Sequence, residues 1–142
     1  VTLLYDPATH TAGVCHAGWR GMAGGILPKT VAVMEEKLGT KRESLRAVLG
    51  PSIRQECFET DADVPEAMEK QLGALVHPYI KEKGPKFHVD LQGIGEQLLR
   101  DAGRQPENVM DSGICTMCCS DEFWSHRKTH GLRGVQGGVI CL

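Results

Sequence analysis

No run of this sequence is apolar for long enough to cross a bilayer, and no signal peptide opens it. The 16 Lys and Arg residues are scattered, without a basic block. With a net charge of -2 and a pI of about 6.3, nothing draws the chain toward nucleic acid or an anionic membrane. P-loop, GxGxxG and GxSxG motifs are absent, so NTPase, dinucleotide-binding and serine-hydrolase readings have no support. Six cysteines in 142 residues are too few for a disulfide scaffold, and the adjacent Cys118 and Cys119 suit one poorly. A reducing, cytoplasmic setting is expected. There are no internal repeats, low-complexity tracts or linkers, so residues 1–142 are expected to form one domain with a real core. Because the first residue is Val1 and not Met, the native N-terminus, with any targeting segment, is expected to precede this chain.

What is present reads as alternating strands and helices, an α/β pattern. Val1–Tyr5 and Thr11–His16 flank a turn at Asp6–His10 and predict a β-hairpin. Gly21–Leu38 carries a helical apolar stripe at Ile26, Leu27, Val31, Met34 and Leu38, with Gly39 as its cap. Pro28 requires that helix to start late or to kink. Leu45–Leu49 is a strand ending at Gly50-Pro51-Ser52. Thr60 and Asp63 form a capping-box-like start to a helix carrying Val64, Ala67, Met68, Leu72 and Leu75. Lys81–Lys86 reads as an exposed loop, Phe87–Val89 as a brief strand, and Asp90 as the cap of a helix over Leu91–Ala102. Val109–Ile114 is a weak strand, and Val135–Leu142 a closing one in which Gly137 and Gly138 mark a close approach or a bulge. Cys15 and Cys141, in apolar runs, are expected to be buried thiols.

The chemistry concentrates at Cys15-His16-Ala17-Gly18-Trp19-Arg20-Gly21, where a strand delivers a histidine to a glycine-bearing turn at a helix start. Such junctions gather backbone N–H groups and side chains around ligands. Histidine is a metal ligand and arginine a planar binder of carboxylate or phosphate. The same residues also fit a tight turn with a packed tryptophan and a surface arginine. Cys115-x-x-Cys118 has the spacing of half a zinc site, which Cys119 or His126 could extend, or else it is a pair of structural thiols. A Cys–His nucleophilic pair could be drawn from Cys15, Cys57 or Cys115 with His16, His88 or His126, and spacing selects none. His88 and Asp90 read as a packed imidazole and a helix cap, or as outer partners of a site.

Taken in order, the motifs resemble those of the YfiH-like, or laccase-domain, family. These are His16-Ala17-Gly18-Trp19-Arg20-Gly21, Leu49-Gly50-Pro51-Ser52-Ile53 with Cys57-Phe58-Glu59, Phe87-His88-Val89-Asp90-Leu91, Cys115-Thr116-x-Cys118, and Phe123-Trp124-Ser125-His126-Arg127. Lys128 stands where a second arginine is usual, and Arg133-Gly134 replaces the usual Gly-Arg. The resemblance implies a layered α/β sandwich with mixed sheets, similar to that of cytotoxic necrotising factor. It also implies a metal site of two histidines and one cysteine, in which His16 matches the last ligand. The other two ligands, and the N-terminal part of the domain, are expected before Val1.

Family members are described as zinc-dependent enzymes that phosphorolyse purine nucleosides or deaminate adenosine, and were earlier described as copper polyphenol oxidases. An N/S site with an open position suits Zn²⁺ and an activated water. Arg20 and Arg127 suit a phosphate co-substrate. Several coppers would need more histidines than the six present. The expectation is therefore a Zn²⁺ enzyme of purine nucleosides and phosphate. Copper (Cu²⁺) phenol oxidation and a non-catalytic metal-binding module are the alternatives. The oligomeric state is not read from the sequence.

Overall fold

The computed structural model describes residues 1–103 and 106–142. Strands β1 (Thr2–Asp6) and β2 (Thr11–Cys15) form the expected antiparallel hairpin. β3 (Arg46–Leu49) joins the other side of β1 antiparallel, and β7 (Val109–Asp111) adds parallel to β3. The resulting four-stranded mixed sheet has the order β2-β1-β3-β7. A second, antiparallel sheet of order β4-β6-β5 contains β4 (Glu59–Thr60), β5 (Ile80–Lys83) and β6 (Lys86–Val89).

Alternation decides which side of the large sheet is covered. Leu4, Ala47 and Leu49 are buried together with Thr2 and Asp6. Against them lie Leu27, Val31 and Met34 of α2 (Ile26–Leu38) and Ile94, Leu98 and Leu99 of α4 (Leu91–Asp101). The opposite face carries a row set by the strand register: Val14 faces Leu3, Leu3 faces Val48, and Val48 faces Met110. The ends of this row are open, with Val14 45% and Met110 65% exposed.

Asp6 ties the hairpin turn to the loop after α2. Its buried carboxylate accepts from the Ala8 and Lys41 amides at 2.9 and 2.6 Å, and from the Thr9 and Ser44 hydroxyls at 2.6 and 2.5 Å. Burial alone would raise its pKa, but these four donors outweigh it and hold the carboxyl well below the usual carboxylate range.

The predicted long helix is two helices. α1 (Trp19–Ala23) stops at Gly24, and Gly25 takes φ 70 before α2 begins at Ile26. Pro28 then lies in the first turn of α2, where its missing N–H leaves no intrahelical bond unmade. Gly39 caps α2 at φ 67, as predicted. The capping box did not form: α3 (Asp63–Leu72) is preceded by Ala62, and Thr60 lies in β4. Leu75 belongs to a following 3₁₀ segment, Gly73–Tyr79. The polar stretch Lys81–Lys86 is a hairpin, not a loop, because it pairs β5 with β6 around Gly84 and Pro85. Asp90 does cap α4, accepting from the Gly93 amide at 3.1 Å.

Residues 135–142 are not a strand. They find no ladder partner among the described residues, and Val135, Val139 and Leu142 stay largely exposed. The close approach expected there is real: a Cβ on Gly138 would meet a Val1 methyl at 2.8 Å. Cys141 is exposed and Cys15 half-buried, so neither is the enclosed thiol expected. Among the described residues no helix is long and apolar enough to cross a membrane.

Candidate functional site

The carboxyl ends of β2, β3 and β7 lie at one end of the large sheet, because β1 runs antiparallel to β2 and β3, and β7 parallel to β3. Open α/β sheets bind ligands at such an end. A cleft of about 460 Å³ opens here. Its walls come from the segments after the strands, from the start of α4, and from the loop carrying residues 124–127 and 133–136.

His16 follows β2 directly and faces the cleft, exposed. Gly18 leaves room for its ring, since a Cβ there would fall 2.8 Å from His16 Nε2. A Cβ on Gly21 would meet the His16 carbonyl at 3.3 Å. The two glycines of the motif thus let helix α1 start tightly against the histidine. Gly50 plays a similar part after β3: its amide donates to the Val1 carbonyl at 2.9 Å, which a Cβ would crowd at 3.0 Å.

Arg127 lines the same cleft and a second, smaller one beside α3. Its Nη1 donates to the Glu59 carbonyl at 2.6 Å, and its guanidinium lies 5.6 Å from the centroid of the Phe58 ring. His126 and Arg133 also face the main cleft. Gly134 lies against the Trp124 indole, and the Trp124 amide donates to Gln136 Oε1 at 2.9 Å, which folds the 134–136 segment over the rim. Arg20 is elsewhere. It stacks 4.2 Å from the centroid of Trp19 and lines neither cleft. The structure therefore brings His16 and Arg127 together and leaves Arg20 outside.

Gln92, at the start of α4, also lines the cleft and was not singled out from the sequence. Its Nε2 donates to the Ser52 hydroxyl and to the Ile53 carbonyl, the latter at 3.1 Å. Its Oε1 is buried without a partner. A buried unmade acceptor is costly, so an N–H supplied by a ligand would be favoured there. His88 is the packed imidazole expected: its Nδ1 is 3.0 Å from the Gln55 carbonyl and its Nε2 lies 3.7 Å from Glu59.

Two further observations bear on metals. His16 has the exposure and the free space beside Nε2 that a ligand needs. Among the described residues no group of three or more Cys, His or carboxylate side chains includes it. The cluster that does gather is Cys57, Cys115 and Cys118, with all sulfurs within 4.8 Å of one another. Cys119 and His126, the expected extensions of the Cys115–Cys118 half-site, are not in it. The third sulfur comes from Cys57, in the turn after β3, because the Ser52–Cys115 parallel bridge holds that turn beside the one after β7. An ion pair of Arg54 with Asp111 fastens the same two segments. Burial, then the neighbouring thiols, push the Cys57 thiol up. Burial also opposes the Cys115 thiolate, but backbone N–H donors from Arg54, Cys118 and Met117 outweigh it and bring its pKa down.

A family profile described as "Multi-copper polyphenol oxidoreductase laccase" matches residues 1–142. Purine nucleoside phosphorylase YlmD of Bacillus subtilis is 32% identical over 139 residues, covering 98% of this chain and 50% of that protein. Adenosine deaminase RL5, from an unknown prokaryote, is 34% identical over 129 residues, covering 89% of this chain and 48% of that protein. The crystal structure of the Bacillus licheniformis hypothetical protein YfiH superposes with a TM-score of 0.85 at 30% identity, over 92% of this chain and 49% of that one. The chain thus spans about half the length of these two relatives. With its mixed α/β architecture and its whole length matched, this chain belongs to the laccase-like YfiH family.

Proposed function

We propose that the cleft is part of a purine nucleoside active site, in which phosphate is the co-substrate. The observation that carries this reading is the convergence of His16 and Arg127, more than a hundred residues apart in sequence, on one cleft with Arg133 at its rim. The names of the relatives, purine nucleoside phosphorylase and adenosine deaminase, support the same substrate class.

In phosphorolysis a phosphate oxygen bonds to C1′ of the ribose as the C1′–N bond to the purine breaks. The bond's electron pair leaves with the base, which takes a proton. The guanidinium groups of Arg127 and Arg133 would hold the phosphate, a task for which a planar, permanently charged fork is suited. Phe58, Leu91 and Trp124 supply apolar wall against a purine ring, and Gln92 Oε1 would accept an N–H of the base. Arg20 reaches the anion in this reading only by leaving Trp19, and it serves as the control position.

His16 would be one ligand of a zinc ion whose remaining donors lie outside the described residues. Bound zinc would supply a Lewis acid or, for deamination, an activated water. Copper chemistry, which the family description names, is less well served. His10 sits at the hairpin tip, His77 pairs with Glu69, and His88 is packed; among the described residues no group of three or more metal-ligating side chains contains an imidazole.

The test is a product assay of the purified protein with adenosine, inosine or guanosine, with and without phosphate. Free base and ribose 1-phosphate should form in equal amounts. Arg127→Ala should raise KM for phosphate about tenfold or more, with a smaller effect on the nucleoside. Arg20→Ala should change it little. Base release that ignores phosphate, or an unchanged phosphate KM in Arg127→Ala, would refute the reading.

A further inference from the structure

We infer that Cys57, Cys115 and Cys118 form a second metal site, distinct from any at His16, that holds a thiophilic ion, Zn²⁺, and staples the wall of the cleft.

The geometry is close to what the ion needs. Tetrahedral zinc with Zn–S of about 2.3 Å places its sulfurs about 3.8 Å apart. Cys57 and Cys118 already stand 3.5 Å apart, and no pair in the cluster exceeds 4.8 Å. Side-chain rotation of about 1 Å closes the remainder on this scale of bond length. The three donors are all sulfur, with no carboxylate or imidazole among them, a set that selects zinc or another thiophilic ion over magnesium or calcium.

The surrounding backbone holds the three cysteines together. The Cys119 amide donates to the Cys115 carbonyl at 2.9 Å, closing the turn that carries Cys115 and Cys118, and the Ser52–Cys115 bridge sets the turn of Cys57 beside it. Cys118 is exposed, so an ion can reach the cluster from solvent.

The site also has a place in the architecture. Cys57 precedes Phe58, and Cys115 precedes Thr116, both lining the cleft. A metal bridging the two turns would fix Phe58 and Thr116 relative to each other, acting behind the wall and not on the substrate.

The test does not depend on nucleoside turnover, so its failure is separable from failure of the active-site reading. The reduced, chelator-stripped protein is incubated with Zn²⁺ alone, and its cysteines are alkylated and mapped by mass spectrometry. Zinc should protect Cys57, Cys115 and Cys118 together and leave Cys119 and Cys141 as reactive as before. Cys118→Ser, at an exposed position, should lose protection at both remaining cysteines, while His16→Ala should keep it. Labelling that ignores zinc, protection that depends on His16 and not on Cys118, or a Cys57–Cys118 disulfide that forms equally with zinc bound would each overturn the proposal.

Discussion

A single carboxylate carries an unusual share of the fold's local order. Asp6 was read from sequence only as a turn residue, yet it is fully buried and holds two separate chain segments through four hydrogen bonds. Since its folded pKa lies below its ordinary value, its contribution is present above the usual carboxylate range, about pH 4, and is lost as pH falls toward the depressed value. Asp6→Ala should destabilise the chain by about 3 kcal/mol near neutral pH, because it also orphans the Lys41 amide. Denaturant midpoints measured from pH 7 downward would check this. The gap between wild type and variant should narrow in acid. His16 shows the reverse case. Its place at a strand end was legible, since a strand, two glycines and a helix start are all local signals. The donors that gather with a residue depend on tertiary register, and that is why spacing alone neither groups Cys57 with Cys115 and Cys118 nor singles out Gln92.

At the level of elements, local chemistry predicted well wherever it was self-sufficient. The β1–β2 hairpin, the Asp90 cap and the Gly39 terminus each follow from a few adjacent residues, and each formed. Predictions that needed a partner fared differently. Lys81–Lys86 looked like loop from its polarity but is a hairpin, with β5 pairing along one edge of β6 while β4 pairs along the other. Residues 135–142, expected to close as a strand, find no ladder among the described residues. The Gly39 cap allows a clean measurement. Its φ is 67 and a Cβ there would touch nothing within 4 Å, so Gly39→Ala would report backbone conformation alone. The expected loss is about 1 kcal/mol, seen as a lower thermal midpoint without a change in activity.

Across the whole molecule, helices α2 and α4 cover one face of the large sheet, and the Val14–Leu3–Val48–Met110 row runs over the other. The family resemblance led us to expect a layered sandwich with mixed sheets; one mixed and one antiparallel sheet are there, and the fold superposes on YfiH. The exposed ends of this row, Val14 and Met110, set apolar side chains in water, which lowers colloidal stability, and among the described residues β2 is an edge strand beside Val14. Met110→Lys, at a position 65% exposed, should leave the thermal midpoint within about 0.5 kcal/mol of wild type while reducing self-association on light scattering. The strip thus makes concentration a hidden variable for this chain: any assay run at high protein levels will measure stickiness along with catalysis, and dilution is the simplest way to tell them apart.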